Sequence, residues 1–363
     1  MSFKKVKFLH FFLHDGLGFV SKYTEMINTQ SDFFDPAEHA FLTNQPRIYE
    51  QLKHFGNVFF AEDCNCINKY GEYGDWLFIH ALNLSYSQLF SIKKRYAKKI
   101  IWRTWGHDFK ILEYKANKLK NIVKFVLNYL FCKKVGQFYA VGCANQIDIL
   151  RAQRYFKNIK TFLIHYSFIK DQKETLEGIE KKAIKHDTVR ILVGHSGCRT
   201  DNHIEILKNL AVYKDDNITV VLVLSYGEKD YINNVITFAQ KTFGDKVEII
   251  NEHMPYFDYA KFISEIDVAV MDQTHSAALG NLRLLTFFKK KIYINVNSDF
   301  ARALKKNECI IFPATDIGKI SFDAFVESDD AELSKIKQLF GRVLTAGEFC
   351  EINQSVFNHL KNL

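Results

Sequence analysis

The chain has 363 residues, of which 47% are hydrophobic and 25% are charged, and its formal net charge is +8. A chain of this length can bury a large core, and we expect two domains of ordinary size. Only four prolines and no low-complexity segment argue against a disordered or fibrous protein. The seven cysteines form no CxxC pair, so the sequence predicts neither a disulfide framework nor a zinc site.

The first segment, MSFKKVKFLHFFLHDGLG, begins with lysines and continues as an apolar run. A secretion signal begins in the same way, but this segment has no small-residue cleavage site, and His10 and His14 interrupt its apolar run. We therefore predict a buried strand at 6–13 followed by a glycine-containing loop. No stretch approaches the roughly 20 apolar residues that a membrane-spanning helix needs, so we expect no transmembrane segment.

Short apolar runs bounded by polar residues or glycine continue through the first half of the chain. Such runs are typical of strands that are buried on both faces of a parallel sheet. They predict strands at 6–13, 57–60, 76–80, 100–103 and 137–141, and helices at 114–134 and 144–156.

A polar, lysine-rich segment at 170–187 interrupts this pattern, which then starts again. Alternating strands and helices predict parallel sheets that are covered on both faces. The predicted fold class is therefore α/β, with Rossmann-like domains at 1–170 and 185–345 facing a central cleft, and a C-terminal helix at 346–363 packing at their junction. The elements predicted in the second half are strands at 189–193, 218–224, 247–250, 267–271 and 292–296, helices at 201–212, 229–243, 256–265 and 279–290, and a final helix at about 333–363.

Loops that follow the predicted strands carry an excess of glycine, aromatic and polar residues. In open parallel sheets, ligands bind beyond the carboxyl ends of the strands, so these loops are the places to look for a site. They are 14–18, 80–86, 104–109, 194–203, 225–228 and 272–281.

The stretch RILVGHSGCRTDNHIEIL, residues 190–207, predicts a strand, a small polar loop and the start of a helix. Gly194 and Gly197 permit a tight turn and close approach to a ligand. Arg199, beside the free N–H groups of a helix start, suits a phosphate oxygen. The stretch matches neither GxGxxG nor GxxxxGK[ST], so it does not indicate a dehydrogenase or an ATPase. An ordinary strand-to-helix turn with a surface arginine is the alternative.

A second loop, MDQTHSAALGNLRLL at 271–285, also leads from a predicted strand into a helix. Ser276 and Asn281 flank the helix N-terminus, whose dipole favours a diphosphate. Gly280 permits close approach of the backbone to a ligand, although small residues here equally suit packing of the helix on the sheet.

Positive charge is concentrated between Lys93 and Lys134, which contains 13 lysines and arginines and only two acids. A patch of this kind implies an anionic partner, which is a membrane surface, a nucleic acid or a phosphorylated substrate. The segment 115–134 combines apolar residues with lysines and predicts a helix that lies on anionic lipid. Its alternative is a buried helix with exposed lysines.

A nucleic-acid-binding module is the rival interpretation, because basic and aromatic residues interleave at 93–114. No RNP, KH or helix-turn-helix signature accompanies them, so we expect no nucleic-acid partner.

The segments ILVGHSGCRTDNHI, WGHDF, FIH at 78–80, LGNLRLL and YINVNSDF together resemble glycosyltransferase family 56. That family comprises bacterial transferases of 4-acetamido-4,6-dideoxygalactose (Fuc4NAc) that act on an undecaprenyl-diphosphate-linked saccharide. The resemblance implies a GT-B fold, with an N-terminal acceptor domain and a C-terminal domain for a TDP- or UDP-linked sugar. It also implies a peripheral protein at the cytoplasmic face of the bacterial inner membrane.

Matching positions carry over from the family motifs to both predicted domains. On the donor side they are Ser196, Gly197, Arg199 and His203. In the N-terminal domain they are His80, Trp105, Gly106 and Asp108, of which Trp105 and Gly106 are expected to bind the acceptor. With the loop residues above, the predicted donor site comprises Gly194, Ser196, Gly197, Arg199, His203, Tyr226, Ser276, Gly280 and Asn281.

Transfer of a sugar requires that the charge of the departing diphosphate be neutralised. The sequence contains no DxD motif for a divalent metal, so we expect Arg199 and helix N-termini to do this without a cofactor. The acceptor hydroxyl needs a base if the reaction inverts the anomeric centre, and Asp15, His80 and Asp108 are the candidates.

We favour Asp108 as the base, because Trp105 beside it can stack on a sugar ring. The alternative makes Asp108 a helix cap and Trp105 a core residue. A sugar-nucleotide epimerase of the same fold is a further alternative, and it would act without an acceptor.

Overall fold

The computed structural model describes residues 4–62, 65–106, 108–109, 120–166, 169, 171–274 and 278–363. Contacts along the chain divide it into two compact units. The first comprises Met1–Lys170 together with Leu344–Leu363, and the second comprises Asp171–Val343.

The first unit is built on a parallel sheet of seven described strands, with the spatial order β3-β2-β1-β4-β5-β6-β7. Both faces of the central strand β1 are covered, because Phe8, Leu9 and Phe11 are all fully buried. The strands are β1 Val6–Phe12, β2 His39–Thr43, β3 Val58–Phe60, β4 Gly74–His80, β5 Ile100–Arg103, β6 Ala140–Cys143 and β7 Lys160–Leu163.

Helices of the first unit connect these strands, and one more helix comes from the end of the chain. Those that connect strands are α1 Leu17–Thr29, α2 Pro46–Leu52, α3 Cys66–Tyr70, α4 Tyr86–Ser91, α5 Lys94–Ala97, α6 Lys120–Val135 and α7 Gln146–Tyr155.

A second parallel sheet, of six described strands, carries the second unit, with the order β10-β9-β8-β11-β12-β13. Its strands are β8 Val189–Val193, β9 Ile218–Val223, β10 Val247–Ile250, β11 Val268–Met271, β12 Lys291–Ile294 and β13 Phe312–Pro313. Its helices are α8 Gln172–Lys181, α9 His203–Leu210, α10 Lys229–Phe243, α11 Tyr256–Ser264, α12 Leu279–Phe287, α13 Asp299–Lys306, α14 Phe322–Val326 and α15 Asp330–Ile336.

The last helix, α16 Ala346–Lys361, packs on the sheet of the first unit. Its Phe357 ring lies 4.7 Å from that of Phe8 on β1, and the indole N–H of Trp76 on β4 donates to the carbonyl of Leu360 at 2.9 Å. Apolar burial and several long-range hydrogen bonds therefore attach the end of the chain to the first unit.

The sequence did not predict β2, β7 or β13. The apolar core of β2 is only three residues long, and the strand begins with a histidine whose ring is buried and hydrogen-bonded. Strands β7 and β13 lie at sheet edges and are only partly buried, so they lack the continuous apolar run of a central strand.

The prediction of one helix at about 333–363 was wrong. Helix α15 continues into a π-helical turn, Lys337–Gly341, and α16 begins only after Thr345, which forms a capping box with Glu348. Gly341 lies against the backbone of α12, where a Cβ atom would be 2.6 Å from the amide nitrogen of Phe287. This close approach and the new cap together end one helix and start the next.

Among the described residues, no helix combines the length and the apolar character that crossing a bilayer requires.

We predict that Gly341→Ala destabilises the protein by about 1–3 kcal/mol, the usual cost of forcing an extra carbon into a packed site. Urea denaturation of the two proteins measures this. Gly347→Ala is the matched control, because a Cβ there meets nothing within 4 Å and alanine favours a helix. Equal stability of the two variants would show that the contact of Gly341 with α12 is not tight.

Candidate active site

Each sheet reverses its strand order once, and ligands of open α/β sheets bind at such a reversal. In the first unit the chain moves from β1 to β2 on one side and later returns to place β4 on the other side of β1. In the second unit the same reversal lies between β8 and β11. The loops after β1 and β4, and those after β8 and β11, are therefore the candidate site loops.

The loop after β1 carries Asp15, one of the three predicted bases. This residue is exposed, and its carboxylate makes no hydrogen bond or ion pair with any residue that the structure describes. Beside it, Nδ1 of His14 lies 3.1 Å from Nδ2 of Asn83, which joins the loops after β1 and β4. Asp15 is thus a free carboxylate at the strand-order reversal.

Trp105, in the loop after β5, packs against the same place. A Cβ atom at Gly16 would overlap its ring. The Trp105 ring also lies 5.5 Å from that of His14 and 5.7 Å from that of Phe19, which is 56% exposed. These rings form an aromatic surface of the kind that stacks on sugars.

Asp108 does not lie free in this site. One carboxylate oxygen accepts from the amide of Leu82 at 3.1 Å and from the indole N–H of Trp102 at 3.0 Å. The other accepts from the amide of Trp105 at 2.8 Å. Asp108, which the sequence favoured as the base, therefore holds the loops after β4 and β5 together, and its oxygens are already occupied.

Gly106, predicted to bind the acceptor, serves the shape of the same loop. Its φ of +81° is a left-handed conformation that favours glycine. Its carbonyl accepts from Arg151 at 3.0 Å, and Arg151 is itself buried in an ion pair with Asp148 at 3.2 Å. The turn at Gly106 therefore directs Trp105, which comes just before it.

His80, the third predicted base, is completely buried at the end of β4. Its Nε2 lies 3.1 Å from Nδ1 of His10, and its Nδ1 lies 2.8 Å from the hydroxyl of Tyr166. Nε2 of His10 lies 3.0 Å from Nδ1 of His39. Burial is the main cause that lowers the pKa of all three histidines, to about 3 for His39. Because neither nitrogen of His80 is free, it does not reach a substrate.

In the second unit, the loop after β8 is organised by Asp201, which is fully buried. One of its oxygens accepts from the amide of His195 at 3.1 Å, and from the amide and hydroxyl of Ser196 at 2.9 Å each. Burial raises the pKa of this carboxyl, but the hydrogen bonds and charge of His195 and the bond from Ser196 outweigh it and hold that pKa below its ordinary value.

Ser196 and the amides before it are therefore not available to a diphosphate, contrary to the prediction. These contacts agree with the alternative interpretation of the stretch, an ordinary strand-to-helix turn with a surface arginine.

The two glycines of this loop permit approach of other protein atoms rather than of a ligand. At Gly194 φ is +68°, and a Cβ atom would collide with the ring of His203. The Gly197 amide donates to the carbonyl of Tyr226 at 2.6 Å, and its carbonyl accepts from the amide of Glu228 at 3.0 Å. This pairing fixes the loop after β8 against the loop after β9.

His203 is buried at the start of α9, so it does not line an open donor site. Its amide donates to the hydroxyl of Tyr231 at 3.1 Å, which satisfies one of the free N–H groups of the helix start. Burial lowers the pKa of His203 to about 4; the Asp201 charge opposes this, and His195 adds to it. His203 is therefore neutral at pH 7.

Arg199 and Tyr226 are the predicted donor-site residues of this loop region that lie at the surface. The Nε of Arg199 donates to Glu228 at 2.9 Å, and its guanidinium lies 5.2 Å from the centre of the Tyr231 ring. The ion pair is exposed, so it contributes little to stability and an incoming anion can replace Glu228. The Tyr226 ring is more than half exposed.

The N-terminus of α12 lies at the end of the loop after β11. Its N-cap, Ala278, has a φ of +57° and provides no side-chain cap. Among the described residues, the amides of Leu279, Gly280 and Asn281 have no acceptor. The neighbouring Ser276 of the predicted donor site lies outside the described residues. Helix α12, which is nine residues long, thus begins without a side-chain cap, and the space around Gly280 is open.

Three residues that the sequence did not single out connect loops at the carboxyl edge of this sheet. Nδ2 of Asn202, after β8, donates to the carboxylate of Asp272, after β11, at 2.7 Å. Asn295, after β12, also donates to Asp272, at 3.1 Å. Asp272 therefore ties three loops at the carboxyl edge of the sheet.

We predict that the free energy of unfolding falls steeply as the pH drops from 6.5 to about 4. Folded His203 stays neutral down to about pH 4, whereas the unfolded chain takes up a proton near pH 6.5, so acid favours unfolding. The stability is fully present above pH 6.5, and a shift of this size corresponds to about 3 kcal/mol.

Urea denaturation at several pH values checks this. His203→Phe should make the pH dependence shallower, and the exposed His54→Gln should leave it unchanged. The same slope in all three proteins would contradict the assignment.

The family comparison matches residues 71–335, well over half of the chain. The matching family is described as 4-alpha-L-fucosyltransferase glycosyl transferase group 56.

Solved structures give the same fold over nearly the whole chain. A glycosyltransferase from Rickettsia africae is similar with a TM-score of 0.60 and 13% identity, covering 99% of each chain. Anabaena HepE in complex with UDP gives 0.61 and 12%, covering 99% of this chain and 100% of the other. Sucrose-phosphate synthase from Thermosynechococcus elongatus gives 0.59 and 10%, covering 98% and 99%. The predicted GT-B fold class, with two Rossmann-like parallel-sheet domains, is confirmed.

Proposed function

Because this chain belongs to glycosyltransferase group 56 and is a glycosyltransferase, we propose that it transfers an amino-deoxy sugar from a nucleoside diphosphate to a lipid-diphosphate-linked saccharide. The observation that carries the donor part is the strand-order reversal between β8 and β11, where an exposed arginine and an uncapped helix start occur on neighbouring loops. The similar Anabaena protein is a complex with UDP. The transfer takes place at the cytoplasmic face of a bacterial inner membrane.

The donor diphosphate binds at the N-terminus of α12. Three amides there, Leu279 to Asn281, have no acceptor among the described residues, and a helix start favours a negative group. Gly280 leaves space for close approach of the phosphate oxygens. Arg199 exchanges Glu228 for the diphosphate and supplies the positive charge.

The acceptor sugar stacks on the aromatic surface of Trp105 and Phe19, and Asp15 is the base. Of the three predicted bases, Asp15 has a carboxylate that is both exposed and unpaired in the described structure, whereas Asp108 and His80 are occupied. A general base must reach the proton that it removes, so exposure beside the stacking surface favours Asp15.

The reaction is an inverting displacement. Asp15 takes the proton of the acceptor hydroxyl as its oxygen forms the new bond to the anomeric carbon. The bond from that carbon to the donor phosphate breaks, and the nucleoside diphosphate leaves with the electron pair. Negative charge grows on the departing oxygen, so Arg199 and the α12 amides stabilise the transition state more than the bound donor.

Helix α6 provides the membrane contact. Six of its apolar side chains are between 40% and 65% exposed, which supports a surface helix over the alternative of a buried one. They are Ile122, Val123, Phe125, Val126, Tyr129 and Leu130. The helix lies within the basic segment, and an exposed apolar face with flanking lysines suits a layer of anionic headgroups.

We predict that Arg199→Ala lowers kcat by about 10²–10³-fold, the usual effect of losing one preorganised charge donor at a developing anion. Affinity for the donor falls less. Steady-state kinetics with TDP- and UDP-sugars measures both quantities. Thermal stabilisation by TDP and by UDP shows which nucleobase the protein prefers.

Glu228→Gln is the matched control for this variant, because it removes the partner of Arg199 and keeps the arginine. It should retain turnover. Normal turnover of Arg199→Ala would mean that the diphosphate charge is neutralised elsewhere.

Asp15→Asn should lower turnover by about 10²–10⁴-fold, the usual contribution of a general base, and leave donor binding unchanged. Its melting temperature should equal that of the wild type, because Asp15 makes no described hydrogen bond. Asp108→Asn is the comparison, and we expect it to lower the melting temperature, since one of its acceptor oxygens becomes a donor facing an N–H group. Full turnover in Asp15→Asn would remove it as the base.

Phe125→Asp should weaken binding to anionic liposomes several-fold, because it places a charge on the apolar face of α6. Liposome flotation measures this. Val212→Asp is the control, since Val212 is 59% exposed on the second unit, against 64% for Phe125, and we assign it no membrane contact. A similar loss in both variants would show that negative charge alone is responsible, and no loss in Phe125→Asp would exclude α6 as the contact.

A further inference from the structure

A continuous chain of hydrogen bonds crosses the core of the first unit and ends at the Trp105 indole. It runs from His39 to His10 at 3.0 Å, from His10 to His80 at 3.1 Å, and from His80 to the hydroxyl of Tyr166 at 2.8 Å. The indole N–H of Trp105 donates to the same hydroxyl. All three histidines and Tyr166 are buried, and the proposed reaction uses none of them directly.

The direction of this chain follows from its last member. An indole N–H can only donate, so Tyr166 accepts from Trp105. The hydroxyl proton of Tyr166 then needs an acceptor, and among the described residues the one within reach is Nδ1 of His80. If His80 donated instead, the Tyr166 proton would be buried without a partner, which is costly.

The remaining protons follow in order. His80 accepts at Nδ1 and therefore carries its proton on Nε2, which donates to Nδ1 of His10. His10 in turn donates from Nε2 to Nδ1 of His39. All three imidazoles are then neutral Nε2–H tautomers, since a neutral imidazole has one donor and one acceptor nitrogen. A charged histidine would have two donors and would break the chain, in agreement with the lowered pKa of each ring.

Tyr166 is itself held firmly at this point. The guanidinium of Arg103 lies 4.2 Å from the centre of its ring, and the Tyr23 ring lies 5.4 Å away. The Tyr166 hydroxyl is therefore a fixed acceptor for the indole. The close contact of the Trp105 ring with Gly16 further restricts the position of that ring.

We propose that His80 and Tyr166 are positioning residues that fix the orientation of the Trp105 ring for stacking on the acceptor sugar. The proposal rests on the proposed function, in which Trp105 contacts the acceptor. His80, which the sequence suggested as a base, then acts on the acceptor site through Tyr166 and Trp105.

Tyr166→Phe removes the hydroxyl and keeps the ring over Arg103. We expect KM for the acceptor saccharide to rise about tenfold, the effect of one lost hydrogen bond, with a smaller change in kcat and none in KM for the donor. Tyr23→Phe is the matched control. Its hydroxyl is buried beside the same rings and makes no hydrogen bond in the described structure, so its removal should leave both KM values unchanged.

An equal rise in acceptor KM for Tyr23→Phe would overturn the proposal, because the effect would then be one of packing. Trp105→Ala distinguishes a failure of the positioning role from a failure of the proposed acceptor site. If Trp105→Ala raises acceptor KM and Tyr166→Phe does not, the positioning role is wrong while the acceptor site stands. If Trp105→Ala leaves acceptor KM unchanged, the proposed acceptor site is wrong and the positioning role falls with it.

A second measurement needs no substrate. Long-range ¹H–¹⁵N spectra of the histidine-labelled protein report which ring nitrogen carries the proton. We expect Nε2–H tautomers for His10, His39 and His80, assigned with single histidine variants. An Nδ1–H tautomer for His80 would reverse the direction of the hydrogen bond to Tyr166, leave the Tyr166 proton without its acceptor, and so overturn the role of His80 in orienting the Tyr166 hydroxyl.

Discussion

Parallel pairing of a central strand with neighbours on both sides is the constraint on which this molecule depends. Strand β1 has β2 and β4 beside it, and β8 has β9 and β11. A strand in this position is buried on both faces, so its side chains are apolar or, like His10, fully hydrogen-bonded, and unpaired polar side chains are expected beyond its carboxyl end. The same topology that buries Phe8 and Ile191 therefore places Asp15 and Arg199 in loops at the strand-order reversals.

Two buried or partly buried carboxylates shape these loops by the same means. Asp108 accepts three N–H bonds in the first unit, and Asp201 accepts two amides and a hydroxyl in the second. Unpaired N–H groups would be costly in such tight turns, so one acid per loop satisfies them together. In the most distinctive sequence segments, WGHDF and GHSGCRTD, the aspartates thus stabilise the loop backbone. Trp105 and Arg199 project from the loops that these aspartates hold.

The sequence predicted the fold class and most central strands, because apolar runs buried on two faces are evident from composition alone. It did not predict β7 or β13, whose edge positions require no such run. For the site, it indicated the loops that follow the strands, but it could not show which of their side chains are hydrogen-bonded within the protein and which are exposed. Asp15 and Asp108 both follow strands, and only three-dimensional contacts show that one is free and the other occupied. Tyr166 and Asp272 were missed because their partners are distant in sequence, 86 residues away for Tyr166 and His80.

The attachment of α16 to the first sheet has a consequence for synthesis on the ribosome. Phe8 and Phe357 share one core although nearly the whole chain separates them, whereas the second unit is the continuous segment Asp171–Val343. A nascent chain can therefore complete the second unit while the first still lacks its last helix. Contacts between such distant residues form slowly, because a long loop must close first. The amino-terminal sheet is thus begun first and finished last, and its face against α16 stays uncovered during most of translation, when a chaperone would have access to it.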